Sequence, residues 1–280
     1  RLSRAYTGRD LVAICADHPF FSVDDWFIGT TPMDAGIPEA IKNLTVTFKF
    51  NELGSVQEIF DRYPGQVACL IMEPEKDTPP NPGFLQSVKD LCHANGAVFI
   101  LDEMICGFGR TGKMFGVEHF GVTPDIMTVG KGVANGFPVA GVISNDEIIN
   151  SKPFANPSGS SSSYGGNPLA GCACDVTLEV IVRDNLVENS RKVGEYLLNE
   201  FNKLQEKYNF IGDVRGKGLM IGVEMVSDRK TKKPLEKHIA RRLFDECLKR
   251  GMISMCYSST IRVNPPLIIT QKEAETAIRI

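Results

Sequence analysis

The sequence predicts an α/β fold: a large part with a mostly parallel sheet, followed by a smaller α+β part. Three observations carry this expectation. Short apolar runs such as "VACLIME" and "AVFILDE" alternate with segments like "ELGSVQEIFDRYPGQ", whose apolar residues recur at helical spacing. Strands separated by helices pair in parallel and pack in layers. Several apolar runs also close on a polar residue, at Glu73, Asp102 and Lys131, and ligands of open α/β sheets gather at the C-terminal ends of parallel strands. Lastly, the pattern changes near residue 180, where long helical segments replace the alternation. The expected division is a large domain over 1–180 and a small C-terminal domain over 181–280.

Taken in order, "DLVAICA" reads as a strand, and the long aromatic loop "DHPFFSVDDWFIGTTP" follows it. "LTVTFKF" is the next strand and "ELGSVQEIFDRYPGQ" the next helix. "VACLIME" is a strand ending at Glu73, followed by a proline-rich loop. The helix "GFLQSVKDLCHANG" then stops at its glycine. "AVFILDE" is the central strand, and "IMTVGK" and "VAGVIS" lie on either side of a lysine turn. "NPSGSSSSYGG" has the composition of a flexible linker. The stretch from "NPLAG" to "LQEKY" predicts one or two long helices. "FIGDVRGKGLMIGVEMV" reads as a turn and a strand, "EKHIARRLFDECLKRGM" as a helix capped by Gly251, "IRVNPP" as a short strand and "TQKEAETAIRI" as the opening of a helix. No internal repeat is visible.

Composition narrows the function. The 280 residues are 42% hydrophobic with a formal net charge of −3, which offers no electrostatic case for nucleic acid or an anionic membrane. No apolar stretch reaches the length of a membrane span, and no signal peptide is read at the start. The eight cysteines lack metal-ligand spacing, and the four histidines are dispersed. Buried free thiols in a reducing cytoplasm are the plain reading, and no metal is expected.

The chemistry concentrates between Ala97 and Gly141. An apolar strand ends on Asp102-Glu103, and Lys131 lies further on between two glycines. Pyridoxal phosphate needs such a pair. A carboxylate holds its pyridine nitrogen protonated, so the ring becomes an electron sink, and a lysine amine forms the Schiff base with its aldehyde. The spacing leaves other readings open: Asp102 as a helix N-cap after the strand, and Lys131 as a solvated loop lysine.

The wording of the chain goes further. "IMEP", "LDEMICGFGRTG", "PDIMTVGKGVANGFPVAG", "YGGNPLAG", "VRGKGLMIGVEM" and "IRVNPPLIIT" stand in one order along nearly the whole chain. Together they resemble the class III (omega-type) pyridoxal-phosphate-dependent aminotransferases. The opening "RLSRAYTGRD" through "DDWFIGTT" is more similar to the glutamate-1-semialdehyde 2,1-aminomutase branch. The resemblance implies the aspartate aminotransferase-like transferase fold, fold type I. It also implies a homodimer with shared active sites and transfer of an amino group between an amino acid and an oxo-acid or aldehyde. The alternatives are an intramolecular aminomutase and, behind it, a non-catalytic homologue serving as a scaffold.

The resemblance also assigns residues. Lys131 carries the Schiff base, Asp102 pairs with the ring nitrogen, and Glu103 braces the site by hydrogen bonding. Ser163, before "YGGNP", stands where the family has a hydroxyl that binds the phosphate of the neighbouring subunit's cofactor; a flexible linker is the other reading. Arg262 in "IRVNPPL" would grip a substrate carboxylate through two parallel hydrogen bonds, with a surface ion pair as the alternative. Arg110 anchors its loop electrostatically, and Arg215 reads as structural, in a tight turn between helix and strand. The ring-stacking aromatic is assigned to Phe20, with Phe21 and His18 as rivals, because "DHPFFSVDDW" replaces the usual tyrosine-histidine-glycine turn. Two further departures stand out. Ile105 occupies a position where many members carry a glutamine for the cofactor's phenolic oxygen, and "EKDTPPNPG" replaces a glutamate-glycine-glycine turn. The chain opens on Arg1 inside an amphipathic helix, downstream of where the family carries its serine-glycine phosphate turn. It closes at Ile280 within a helix. The expectation is therefore an internal fragment of a longer enzyme.

Overall fold

The computed structural model describes residues 1–17, 24–76, 78–157, 159, 162–255 and 258–280. The chain divides into two compact units, one of Arg1–Ile105 and Val117–Cys174, the other of Cys106–Gly116 and Asp175–Ile280.

The first unit contains α1 (Leu2–Thr7), β1 (Leu11–Cys15), α2 (Asp25–Ile28), α3 (Glu39–Lys42), β2 (Thr45–Phe48), α4 (Leu53–Arg62), β3 (Val67–Met72), α5 (Phe84–Ala94), β4 (Val98–Asp102), β5 (Ile126–Val129), β6 (Gly141–Ser144) and α6 (Asp146–Ile149). Its six-stranded sheet has the order β2-β1-β3-β4-β5-β6. β1, β3 and β4 are buried along their whole length, as expected of strands covered on both faces. One face alternates along each strand: Val12 and Ile14, Cys69 and Ile71, Val98 and Ile100 meet Phe27, Ile126 and Ile148 in one cluster. Each such side chain contributes about 1.5–3 kcal/mol when fully buried.

The helices follow their apolar spacing. α4 buries Val56, Ile59 and Phe60, and α5 buries Phe84, Leu85, Val88 and Cys92. α5 ends before Gly96, whose φ of 63° takes the left-handed turn that stops it. Two expectations change here. Within the long aromatic loop, Asp25–Ile28 forms a helical turn that seats Phe27 in the core, at 2% exposure. β6 runs antiparallel to β5; residues 130–140 join them with a short 3-10 turn (Lys131–Ala134) and no crossover helix. A parallel return needs a crossover of a dozen residues or more.

The second unit holds most of α7 (Pro168–Arg183), which begins in the first, then α8 (Leu186–Lys207), β7 (Ile211–Lys217), β8 (Met220–Asp228), β9 (Lys233–Pro234), α9 (Lys237–Lys249), β10 (Thr260–Val263) and α10 (Gln271–Arg279). The long helical stretch is two helices, separated where Asn185 turns left-handed at φ 51°. "FIGDVRGKGLMIGVEMV" is an antiparallel hairpin rather than a turn and one strand. The reversal falls at Gly218, φ 51°, which also takes a close approach: a Cβ there would meet Gly112 N at 2.5 Å. Gly194 on α8 must likewise lack a side chain, because a Cβ would overlap the Gly218 carbonyl. Val193, Leu197, Ile211, Leu219, Ile221, Val223 and Ala274 form the core of this unit. α10 opens on a capping box, Thr270 with Glu273.

Cys15, Cys69, Cys92, Cys106 and Cys247 are buried, Cys172 is exposed and Cys174 partly so, and none of them forms a disulfide among the described residues. Among the described residues no helix is long and apolar enough to cross a membrane, and no group of residues could hold a metal ion.

Candidate active site

The C-terminal edge of the first unit's sheet carries the acids that the sequence singled out. Asp102 is the last residue of β4 and lies opposite Thr128 of β5 in the parallel register. The residue is only 7% exposed. The Met104 amide donates to its Oδ1 at 2.8 Å, and no ion pair forms with it among the described residues. Burial pushes its pKa above the ordinary carboxylate range, and the Met104 hydrogen bond and the nearby Lys131 charge oppose that rise. Glu103 is fully buried. It donates its backbone N–H to Thr128 O at 2.9 Å, and its Oε1 accepts the Val117 amide at 2.7 Å. Glu73, just past β3, is 4% exposed at the same edge.

Lys131 follows β5 by one glycine and opens the 3-10 turn. Its φ of 44° is a left-handed conformation for a residue with a side chain. That conformation costs roughly 1–2 kcal/mol and is characteristic of functional turns. The side chain is exposed. Asp102, Glu103 and Lys131 are thus brought together at the ends of two adjacent strands. A buried carboxylate that forms no salt bridge among the described residues and an accessible primary amine form the donor set that the ring nitrogen and aldehyde of pyridoxal phosphate require. The residues present fit that group.

Other expected residues fall elsewhere. Ser163 is exposed in the turn before α7, and the side chain of Asn167 caps that helix by accepting the Ala170 amide at 2.9 Å. Ile105 is partly buried and has no polar group to offer a ligand. Phe20, Phe21 and His18 lie outside the described residues.

In the second unit, Arg262 is exposed on β10, opposite Gly222 of β8. It forms no ion pair among the described residues. Arg110 anchors its loop through carbonyls: its Nη1 donates to Leu219 O at 3.2 Å and Pro265 O at 2.5 Å. Burial lowers its pKa. Arg215 sits within strand β7, so the tight turn expected around it is instead the hairpin reversal beyond it. It pairs with Asp213 at 2.7 Å and Glu224 at 3.8 Å. Sequence reasoning missed Met104 and Ser190. The wholly buried Ser190 hydroxyl donates to Arg110 O at 3.0 Å and accepts the Leu219 amide at 3.2 Å. Neither contact carries a local motif.

Alanine–glyoxylate aminotransferase 2 of Homo sapiens is 41% identical over 202 residues, 71% of this chain and 39% of that protein. An alanine/serine racemase of Pyrococcus horikoshii is 38% identical over 224 residues, 78% of this chain and 46% of that protein. The chain therefore spans less than half the length of either relative. An amine transaminase from an uncultivated Pseudomonas species, solved in its PLP-bound form, superposes with a TM-score of 0.86 at 25% identity, covering 99% of this chain and 71% of that one. The family described as aminotransferase class III matches residues 2–280, and this chain belongs to that family.

Proposed function

We propose that this protein is a pyridoxal-phosphate-dependent aminotransferase that moves an amino group between an amino acid and an oxo-acid or aldehyde. One observation carries the reading: buried Asp102 and exposed Lys131 at the ends of adjacent strands, in a chain of the class III family. Bound there, pyridoxal phosphate supplies a sink for the electrons released at the substrate Cα. Asp102 would hold a proton on the ring nitrogen, and that cation would return its raised carboxyl to the charged form. Lys131 Nζ would hold the aldehyde and, once released, take the proton from the substrate Cα.

Glu103, bonded to the Val117 amide, would brace the strand end. The exposed Ser163 hydroxyl would serve the cofactor phosphate of a neighbouring subunit, which makes the protein a homodimer with shared sites. Arg262, exposed and without an ion pair among the described residues, would take a substrate carboxylate, and Phe20 would stack on the ring. The buried cysteines, in no disulfide among the described residues, suit a reducing compartment such as the cytoplasm. A second reading, an aminomutase of the glutamate-1-semialdehyde type, rests on the wording from "RLSRAYTGRD" to "DDWFIGTT" and uses the same residues.

The test is reduction of the cofactor-loaded protein with borohydride, followed by peptide mapping. The label is expected on Lys131, and a label on another lysine overturns the assignment. Screening amino donors against oxo-acceptors, with glutamate-1-semialdehyde as a single substrate, separates the two reactions.

A further inference from the structure

Gly130 precedes Lys131 with φ 178° and ψ −153°, an extended backbone that any residue adopts. Its missing side chain is therefore a matter of space. A Cβ at Gly130 would overlap Met104 Sδ, and would meet Met104 Cε at 3.1 Å and Val139 O at 3.4 Å. The same Met104 donates its amide to Asp102 Oδ1 at 2.8 Å. One residue thus touches both the carboxylate at the end of β4 and the backbone from which Lys131 departs.

We propose that Met104 is a positioning residue for both. Its amide orients the Asp102 carboxylate, and its thioether fills the room that a side chain at 130 would take, fixing where the lysine turn begins. An unbranched, polarizable side chain suits a gap of this irregular kind. The inference rests on the reading of Asp102 and Lys131 as the cofactor-holding pair, and it makes Gly130 and Met104 interdependent.

The test is a double-mutant cycle of Gly130→Ala and Met104→Ala, read in the full protein with and without pyridoxal phosphate. Gly130→Ala is expected to push the flexible Met104 thioether aside, lowering the urea midpoint and weakening cofactor binding by up to about tenfold. Adding Met104→Ala should restore both, because the vacated room accepts the methyl group, so the two changes are non-additive. Additive effects, or a double variant no better than Gly130→Ala, overturn the proposal. Should Gly130→Ala fail to fold, recovery of folding in the double variant is the expected result, and its failure overturns the proposal equally.

Met104→Ala alone separates positioning from packing. Alanine keeps the amide on Asp102, so the variant tests the thioether alone: by loosening the start of the lysine turn it should move the pH midpoint of the bound cofactor's visible band while the protein stays folded. An unmoved midpoint reduces Met104 to packing and sinks the positioning role. Borohydride labelling of a lysine other than Lys131 would instead defeat the pair reading, leaving the cofactor-free cycle to decide the contact between Gly130 and Met104.

Discussion

The buried Glu103 carboxylate accepts the Val117 amide at 2.7 Å, and this bond joins the two points where the chain leaves and re-enters the first unit. Between them, Cys106–Gly116 belongs to the second unit. Removing the carboxylate would leave a buried donor without its acceptor, at a cost of about 1–3 kcal/mol. Glu103→Ala is expected to lose that much in urea unfolding. Glu103→Gln keeps an oxygen for Val117 and should lose less. Equal losses for the two variants would show that the acceptor is not what matters.

Asp102 makes stability depend on pH in an unusual direction. Burial raises its pKa, so the native state keeps this proton to higher pH than the unfolded chain does. Protons are then bound more by the native state, and stability falls as pH rises from the ordinary aspartate value, near 3.9, through the raised native one. Without cofactor, Asp102→Asn should therefore be more stable than the unaltered protein above that window and converge with it below. The same variant should slow amino transfer by orders of magnitude, each tenfold being about 1.4 kcal/mol of barrier. Superimposable pH–stability curves would contradict the buried-charge account.

The sequence made some of this legible and hid the rest for physical reasons. β4 could be read because five consecutive residues, Val98 to Asp102, are buried and its end carries an acid. The hairpin of β7 and β8 could not, because "RGKG" offers the same glycines to a helix–strand turn as to a strand reversal. Arg110 was recognisable as an anchor, but its partners are backbone carbonyls of Leu219 and Pro265, and carbonyls have no sequence identity. Met104 reaches Asp102 through an amide that any residue there would supply. Its thioether meets Gly130 only once β4 and β5 are paired.

Lys131 gives a backbone test that is independent of catalysis. At φ 44°, alanine keeps the left-handed penalty that glycine does not pay. Lys131→Gly should therefore be more stable than Lys131→Ala by about 1 kcal/mol, the reverse of the order at a helical or extended position. Both variants should lose borohydride-reducible cofactor. Alanine proving the more stable would refute the strained conformation.

Arg262 supplies the test of substrate recognition. Exposed on β10 and without an ion pair among the described residues, it is available to hold a carboxylate through two parallel hydrogen bonds, an arrangement that lysine cannot reproduce. Hydrogen bonds to charged groups contribute about 1.5–3 kcal/mol, which corresponds to roughly tenfold to a hundredfold in binding. Arg262→Ala should raise KM for carboxylate-bearing donors by that factor, with Arg262→Lys recovering only part of it. A loss confined to KM marks contact with a part of the substrate remote from the reacting bonds. Amine donors without a carboxylate provide the control, since their KM should be unchanged. If those donors suffer equally, Arg262 supports the fold of its sheet rather than the substrate.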